Sequence, residues 1–340
     1  MKKFKVSVMG GGSFGTALGS LSARLGHLTV MYVTNPTVVE DINKNHANKR
    51  YFPEDLKLPN QLKATSDLKE CLDGTNMIIH AIPVQKSYDF LMENKNLIPN
   101  NIPYIITSKG ILIKQEKFFS DVWNDFFPEE RNIKHCVLSG PSFAIEILKQ
   151  SPTVVTLGCS DKSVSHKVQS LLHSSSFKTY TTDDVKGVEI GGALKNPLAI
   201  ATGLCEGMGF GINTTSALVN RGLIEMSQFS KKFGGKSETL MGFSGIGDVM
   251  LTCLGALSRN KKVGHRLAKG ESIDDYLNST YEVAEGVPTL FVLDKIIDDN
   301  NLNMPLFKTL SKIVKGQITP EEGGKYLMLR DLEDETNIKI

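Results

Sequence analysis

The chain has 340 residues with 39 Lys and Arg against 37 Asp and Glu. A net charge of +2 supplies no broad field to gather nucleic acid or anionic membrane, so any anion it binds must be held by a local cluster. The five cysteines, Cys71, Cys136, Cys159, Cys205 and Cys253, form no C-x-x-C pair and suit buried free thiols in a reducing compartment, while no apolar run reaches the ~20 residues of a membrane span.

At ~100–200 residues per domain, the length fits two domains with a sizeable core. Phe4 to Met9 alternates as a strand does, and its apolar patch meets glycines too soon for a secretory signal. It runs into Gly10-Gly11-Gly12-Ser13-Phe14-Gly15 and a helical stretch, Ser13 to Leu25. Strand, glycine turn and helix in that order suit a dinucleotide. Pyrophosphate reaches the unpaired amides of a helix start only if no β-carbon blocks the approach, hence glycine at 10, 12 and 15.

Leu28 to Val33, Met77 to Ile82, Tyr104 to Thr107, His135 to Leu138, Thr153 to Gly158 and Phe177 to Thr181 read as further strands. Short strands that are apolar nearly throughout, with helical or irregular segments between them, predict a parallel sheet covered on both faces. His80, inside one of these runs, reads as a hydrogen-bonded core residue. The seven histidines lack ligand spacing, and no metal is expected.

From about Asp184 the pattern becomes helical, with apolar residues three and four apart in Asp184 to Met208, Thr214 to Phe233, Arg259 to Ala268, Pro288 to Asp299, Pro305 to Val314 and Pro320 to Leu329. The last opens with Thr319 and Glu322 as a capping box. The expected fold is α/β. A Rossmann-type doubly wound sheet over residues 1–183 precedes an all-α domain over 184–340 that ends in a frayed polar tail.

Ligands of an open parallel sheet bind beyond the carboxyl ends of its strands. There stand Ile82-Pro83, Ser108-Lys109-Gly110 and Ser139-Gly140-Pro141-Ser142, and Lys109 is the charged member, expected over the nicotinamide end of a cofactor. A second lysine, Lys195, lies in G-G-A-L-K-N-P. Its small neighbours Gly191, Gly192 and Ala193 permit close approach of another element, and Pro197 is expected to kink or loosen the helix there. Partly desolvated and facing a second cation, for which Lys109 is a candidate, such a lysine would titrate nearer neutrality and exchange a proton with an alcohol or ketone.

Asp248, delivered by G-F-S-G-I-G-D, is expected to orient Lys195, to bind a substrate hydroxyl, or merely to cap a helix. Ser258-Arg259-Asn260 at a helix start suits a phosphate; the plainer alternative is Ser258 as N-cap with Arg259 exposed. After the second strand come Thr34 and Asn35 where an NAD-specific site usually places a carboxylate, and the nearest acids are Glu40 and Asp41. Dual use of NADH and NADPH, with a modest preference for NADPH, follows.

Taken together, GGGSFGTAL, the N-K-R-Y-F-P segment, SKG, SGPSFA, GVEIGGALKNPLAIATG, GFGINTTSALVNRGLIEMS, GFSGIGDVMLTC, SRN and V-A-E-G resemble the bacterial-type NAD(P)-dependent glycerol-3-phosphate dehydrogenases over residues 5 to about 329. A homodimer is the expected assembly, and the resemblance implies reduction of dihydroxyacetone phosphate to sn-glycerol 3-phosphate for phospholipid synthesis in the cytoplasm. It also implies Lys195 as proton donor and acceptor, with Lys109, Gly140, Ser142, Asp248, Ser258, Arg259 and Asn260 on the substrate. Ser13, Phe14, Lys109, Ala144, Arg259, Val283 and Glu285 would meet NADPH or NADH, and from its place after the second strand Thr34 is expected to do so as well. The chain departs from the family at Thr34-Asn35, at Val84 where serine is usual, and at Pro288. Two other readings stand beside this one: a related two-domain dehydrogenase acting on a 2-hydroxy acid, and a non-catalytic NAD(P)-binding sensor.

Overall fold

The computed structural model describes residues 3–279 and 284–330. Contacts divide the chain into two compact units, Met1–Ser108 with Phe119–Val185, and Lys109–Phe118 with Lys186–Ile340. The ten-residue excursion at 109–118 lies within the block that the sequence pattern assigns to the sheet. Its Ile111 and Phe118 are instead buried in the core of the helical unit.

The first unit is built on β1 (Lys5–Met9), β2 (Leu28–Tyr32), β3 (Leu62–Thr65), β4 (Met77–His80), β5 (Pro103–Ile106), β6 (Lys134–Ser139), β7 (Thr153–Gly158) and β8 (Phe177–Thr182). They form one sheet in the order β3-β2-β1-β4-β5-β6-β7-β8. The first six have the doubly wound arrangement, whose order reverses between β1 and β4. Helices α1 (Ser13–Arg24), α2 (Pro36–Glu40), α3 (Leu68–Leu72), α4 (Val84–Asn94), α5 (Trp123–Phe126), α6 (Ala144–Leu148) and α7 (Lys162–Leu172) complete the unit. Val6, Val8, Met77, Ile79 and Ile105 are wholly buried, as strands covered on both faces require.

Two expectations are corrected here. β3 was not anticipated, because L-K-A-T is only four residues long and exposes Lys63, too little for a pattern to register. The sheet is also not parallel throughout, since β7 pairs antiparallel with β6 and carries β8 with it. The link between β6 and β7 holds only the five-residue α6. That helix spans about 7.5 Å, whereas a parallel crossover must return along a strand of about 20 Å, so the chain comes back as the next strand.

The second unit contains α8 (Val185–Gly207), α9 (Ile212–Lys232), α10 (Ser237–Leu240), α11 (Asp248–Leu254), α12 (Arg259–Leu267), α13 (Ile273–Ser279), α14 (Gly286–Asp299), α15 (Pro305–Val314) and α16 (Pro320–Met328). Leu194, Leu198, Met226, Phe229, Leu290, Leu293, Phe307 and Leu310 belong to its core. α8 runs through Pro197 as one continuous helix, so any loosening expected there does not interrupt it. Proline there removes one backbone donor, and burial of nearly the whole helix keeps it together. The start of α15 is held by the buried Glu225 of α9, whose carboxylate accepts from the Leu306 and Phe307 amides at 3.0–3.2 Å. The capping box of Thr319 and Glu322 is present at α16. The polar tail and Val283 lie outside the described residues.

Candidate functional site

In the first unit, β1 is followed directly by Gly10, whose φ of +116° is a conformation L side chains rarely adopt. A β-carbon there would meet the Ala81 carbonyl oxygen at 2.6 Å, and one on Gly15 would meet the Gly10 oxygen at 2.2 Å. Gly12 is different: its β-carbon would meet nothing within 4 Å. As N-cap of α1 it brings no side chain to the helix start, where Ser13 and Phe14 form the first turn. The arrangement therefore fits a pyrophosphate, with tight packing on the inner glycines and open access on the outer one. Asn48, buried, braces it by donating to the Gly11 oxygen at 3.1 Å and to Thr16 Oγ1 at 2.9 Å.

Thr34 is exposed just beyond β2. Asn35 is the N-cap of α2, its Oδ1 accepting from Thr37 and Val38 at 3.0 and 3.3 Å, so only its amide NH2 remains as a donor. Neither nearby acid takes the place of a ribose-binding carboxylate. Glu40 pairs with Lys44, and Asp41 accepts from the Lys49 amide and from Asn45 Nδ2. At the end of β6, Gly140 packs against Val155 so closely that a β-carbon would fall 2.8 Å from its Cα, and Ser142 Oγ donates to the Gly140 oxygen at 2.8 Å. Ala144 begins α6.

In the second unit three predicted residues converge. Asp248 is buried and opens α11, with Gly247 rather than itself as the N-cap. One of its oxygens takes Lys195 Nζ at 2.5 Å and the other takes Lys109 Nζ at 2.8 Å. Lys195 Nζ also donates to Thr252 Oγ1 at 2.8 Å, and that hydroxyl donates to the Asp248 backbone oxygen at 2.6 Å. The small-residue reading of α8 holds here, since a β-carbon on Gly191 would meet the Ser244 carbonyl oxygen at 2.4 Å.

Burial lowers the Lys195 ammonium to about 8; Asp248 opposes that drop and Lys109 reinforces it. Burial pulls the Asp248 carboxyl the other way, but Lys109 and Lys195 outweigh it and hold it below the usual carboxylate value. Two ammoniums around one carboxylate leave an excess positive charge in a dry setting. A lysine there can give up or take a proton near neutral pH.

The Ser258-Arg259-Asn260 cluster divides. Ser258 is the N-cap of α12 and accepts from the Lys261 amide at 3.3 Å. Asn260, also buried, donates to Asn196 Oδ1 and accepts from the Gly286 amide, each at 3.0 Å. Arg259 stands exposed at the first turn, and Glu285, half-buried, immediately precedes Gly286. Asn48, Asn196 and Thr252 escaped the sequence reading. For Thr252 the signal was present, four residues beyond Asp248 and so on the same helical face.

The sequence profile described as NAD-dependent glycerol-3-phosphate dehydrogenase N-terminus matches residues 5–165, and that of the C-terminus matches 184–325. The chain belongs to this family. Glycerol-3-phosphate dehydrogenase family members of known description include "Glycerol-3-phosphate dehydrogenase [NAD(P)+]" of Leptospira biflexa, 40% identical over 331 residues, 97% of this chain and 99% of that protein. The chloroplastic "Glycerol-3-phosphate dehydrogenase [NAD(+)] 2" of Arabidopsis thaliana is 41% identical over 95% of this chain and 77% of its own length. The crystal structure of the family's Coxiella burnetii enzyme superposes with a TM-score of 0.90 at 31% identity, covering 96% of this chain and 99% of that one.

Proposed function

We propose that this glycerol-3-phosphate dehydrogenase family member reduces dihydroxyacetone phosphate to sn-glycerol 3-phosphate with NADH or NADPH, in the service of phospholipid synthesis. The observation that carries the reading is the buried Asp248 shared by Lys195 and Lys109, with Lys195 poised near neutrality. The cofactor, when bound, supplies the hydride that adds to the substrate carbonyl carbon. Lys195 gives its ammonium proton to the carbonyl oxygen as that oxygen becomes a hydroxyl, and Asp248 and Thr252 aim the amine. In the reverse direction the neutral amine takes the hydroxyl proton.

Lys109 adds a second positive charge toward the developing oxyanion and the phosphate-bearing substrate. Arg259 grips the phosphate, while Ser258 and Asn260 fix the start of α12 from which it projects. Gly140, Ser142, Ala144 and Glu285 are assigned supporting contacts. Gly10, Gly12, Ser13, Phe14 and Gly15 hold the pyrophosphate, and Thr34 meets the adenosine ribose. The five free buried thiols suit a cytoplasmic protein. Exposed Met250 and Leu254, four apart on α11, favour a homodimer.

The deciding experiment follows nicotinamide absorbance with NADPH and dihydroxyacetone phosphate. Steady decay is the expected result. Decay with a 2-keto acid alone, or cofactor binding without turnover of any ketone, would overturn the proposal.

A further inference from the structure

A second buried polar assembly lies in the first unit, and neither the glycine turn nor the lysine centre uses it. His80, the last residue of β4, is wholly buried with both ring nitrogens engaged. Nδ1 lies 2.7 Å from the Tyr104 hydroxyl on β5, and Nε2 lies 2.7 Å from Ser87 Oγ on α4. Ser87 Oγ in turn donates to the carbonyl oxygens of Ile82 and Pro83, at 3.2 and 3.0 Å.

We assign the proton positions so that the buried carbonyls are satisfied. Carbonyls only accept, so the single Ser87 proton is given to them, and the Ser87 lone pair takes the Nε2 proton. A neutral imidazole has one proton, so Nδ1 accepts from Tyr104. Burial pushes the imidazole down to about 3, so the ring is neutral at working pH. All bonds therefore run one way, from Tyr104 through His80 and Ser87 to the backbone of Ile82 and Pro83. Two further rings, Phe90 and Phe119, pack against the imidazole and are apolar.

An apolar trio would fill the same space without desolvating three polar side chains, so packing does not require this chemistry. What the chain of bonds reaches is the loop at the end of β4. That loop borders the crevice between β1 and β4, and its Ala81 oxygen and Ile82 nitrogen are the atoms a β-carbon on Gly10 would strike, at 2.6 and 3.2 Å. We infer that Tyr104, His80 and Ser87 form a positioning relay that holds the Ile82-Pro83 carbonyls, and with them the crevice wall beside the glycine turn, in the geometry that admits NAD(P)H. The inference rests on reading the first unit as the cofactor site.

The test separates the two halves of the relay by NADPH fluorescence titration and steady-state kinetics. In His80→Gln the side-chain amide reaches the Nε2 position and still donates to Ser87; in His80→Asn the acceptor toward Tyr104 remains but the donor falls short. The relay predicts a near-wild-type Kd for His80→Gln. For His80→Asn and for Ser87→Ala, the loss of one buried hydroxyl that leaves the side-chain volume nearly unchanged, it predicts about tenfold weaker NADPH binding with kcat at saturating cofactor within about twofold. Equal losses of Tm in both His80 variants with Kd unchanged would mean a purely structural core, as would unaltered Kd in Ser87→Ala. Gly12→Glu, placed where a side chain has room, is the control. If it fails to weaken NADPH, the cofactor-site reading itself falls; if it abolishes binding while Ser87→Ala and His80→Asn bind as wild type, the relay alone falls.

Discussion

Lys109 and Lys195 hold opposite oxygens of one buried carboxylate, at 2.8 and 2.5 Å. Asp248 thus keeps two like charges close together, and each of those charges helps keep Asp248 ionised. Removing any one of the three changes the protonation of the others, which makes the centre testable by pH as well as by rate.

Lys195→Met is expected to lower kcat by ~10²–10⁴, the range for losing a general acid or base, with NADPH affinity near wild type. Residual kcat above about a tenth of wild type would remove Lys195 from proton transfer.

With Lys195 titrating at about 8, ketone reduction needs the ammonium and alcohol oxidation needs the amine. Reduction should therefore fall, and oxidation rise, as pH passes upward through about 8. Lys109→Gln removes a charge that lowers Lys195, so both limbs should move to higher pH in initial-rate profiles. An unmoved limb would show that the titrating group is not Lys195.

Arg259→Ala should weaken dihydroxyacetone phosphate severely yet leave the poor activity on unphosphorylated dihydroxyacetone nearly unchanged. Asn260→Ala should instead lower Tm, because it strands Asn196 Oδ1 and the Gly286 amide, at ~1–3 kcal/mol per unsatisfied buried group. Equal losses on both substrates for Arg259→Ala would assign it a structural or cofactor role.

No carboxylate in the described structure stands at the end of β2 to exclude a 2′-phosphate, because Glu40 and Asp41 are taken up by Lys44, Asn45 and the Lys49 amide. Lys44 is correspondingly paired, so the donors directly after β2 are the neutral Thr34 and Asn35, with Lys49 and Arg50 in the following segment. The expected outcome is use of both cofactors with a modest NADPH advantage. A kcat/KM preference for NADH above about tenfold, or ~1.4 kcal/mol, would refute it.

His80 gives a prediction in acid. The unfolded imidazole takes a proton below its ordinary 6.5, while the folded one, buried beside Tyr104, Ser87 and the Phe90 and Phe119 rings, resists until about 3. Its contribution is therefore complete above 6.5 and is lost as pH falls below that value. Between pH 7 and 5 the wild type should lose ~2 kcal/mol more than His80→Gln in urea unfolding. Parallel losses would place a charged His80 in the folded state.

Much of this was legible because some constraints act on single residues. Gly10 needs a positive φ and Gly15 tolerates no β-carbon, so the nucleotide turn is written locally. Strand direction is not written that way: periodicity reports which faces are buried, and β7 looks the same running either way. Nor does local pattern say which core receives Ile111 and Phe118. In the site, the S-R-N motif says nothing of the bonds that Asn260 makes to Asn196 and Gly286, because those partners are remote in sequence.

The crossing of α8 and α12 has a consequence for what this centre can be made to accept. Gly203 and Gly264 bring the two backbones together so closely that β-carbons would fall 2.0 Å from the Lys261 and Ile200 carbonyl oxygens. Lys195 rides on one of these helices and Arg259 on the other, so main chain rather than side chains fixes the spacing between the amine proposed to transfer the proton and the guanidinium proposed to grip phosphate. Redesign toward a longer phosphorylated ketone would therefore have to re-seat a helix, and libraries confined to the side chains around Asp248 should return shifts in rate without any shift in the preferred chain length.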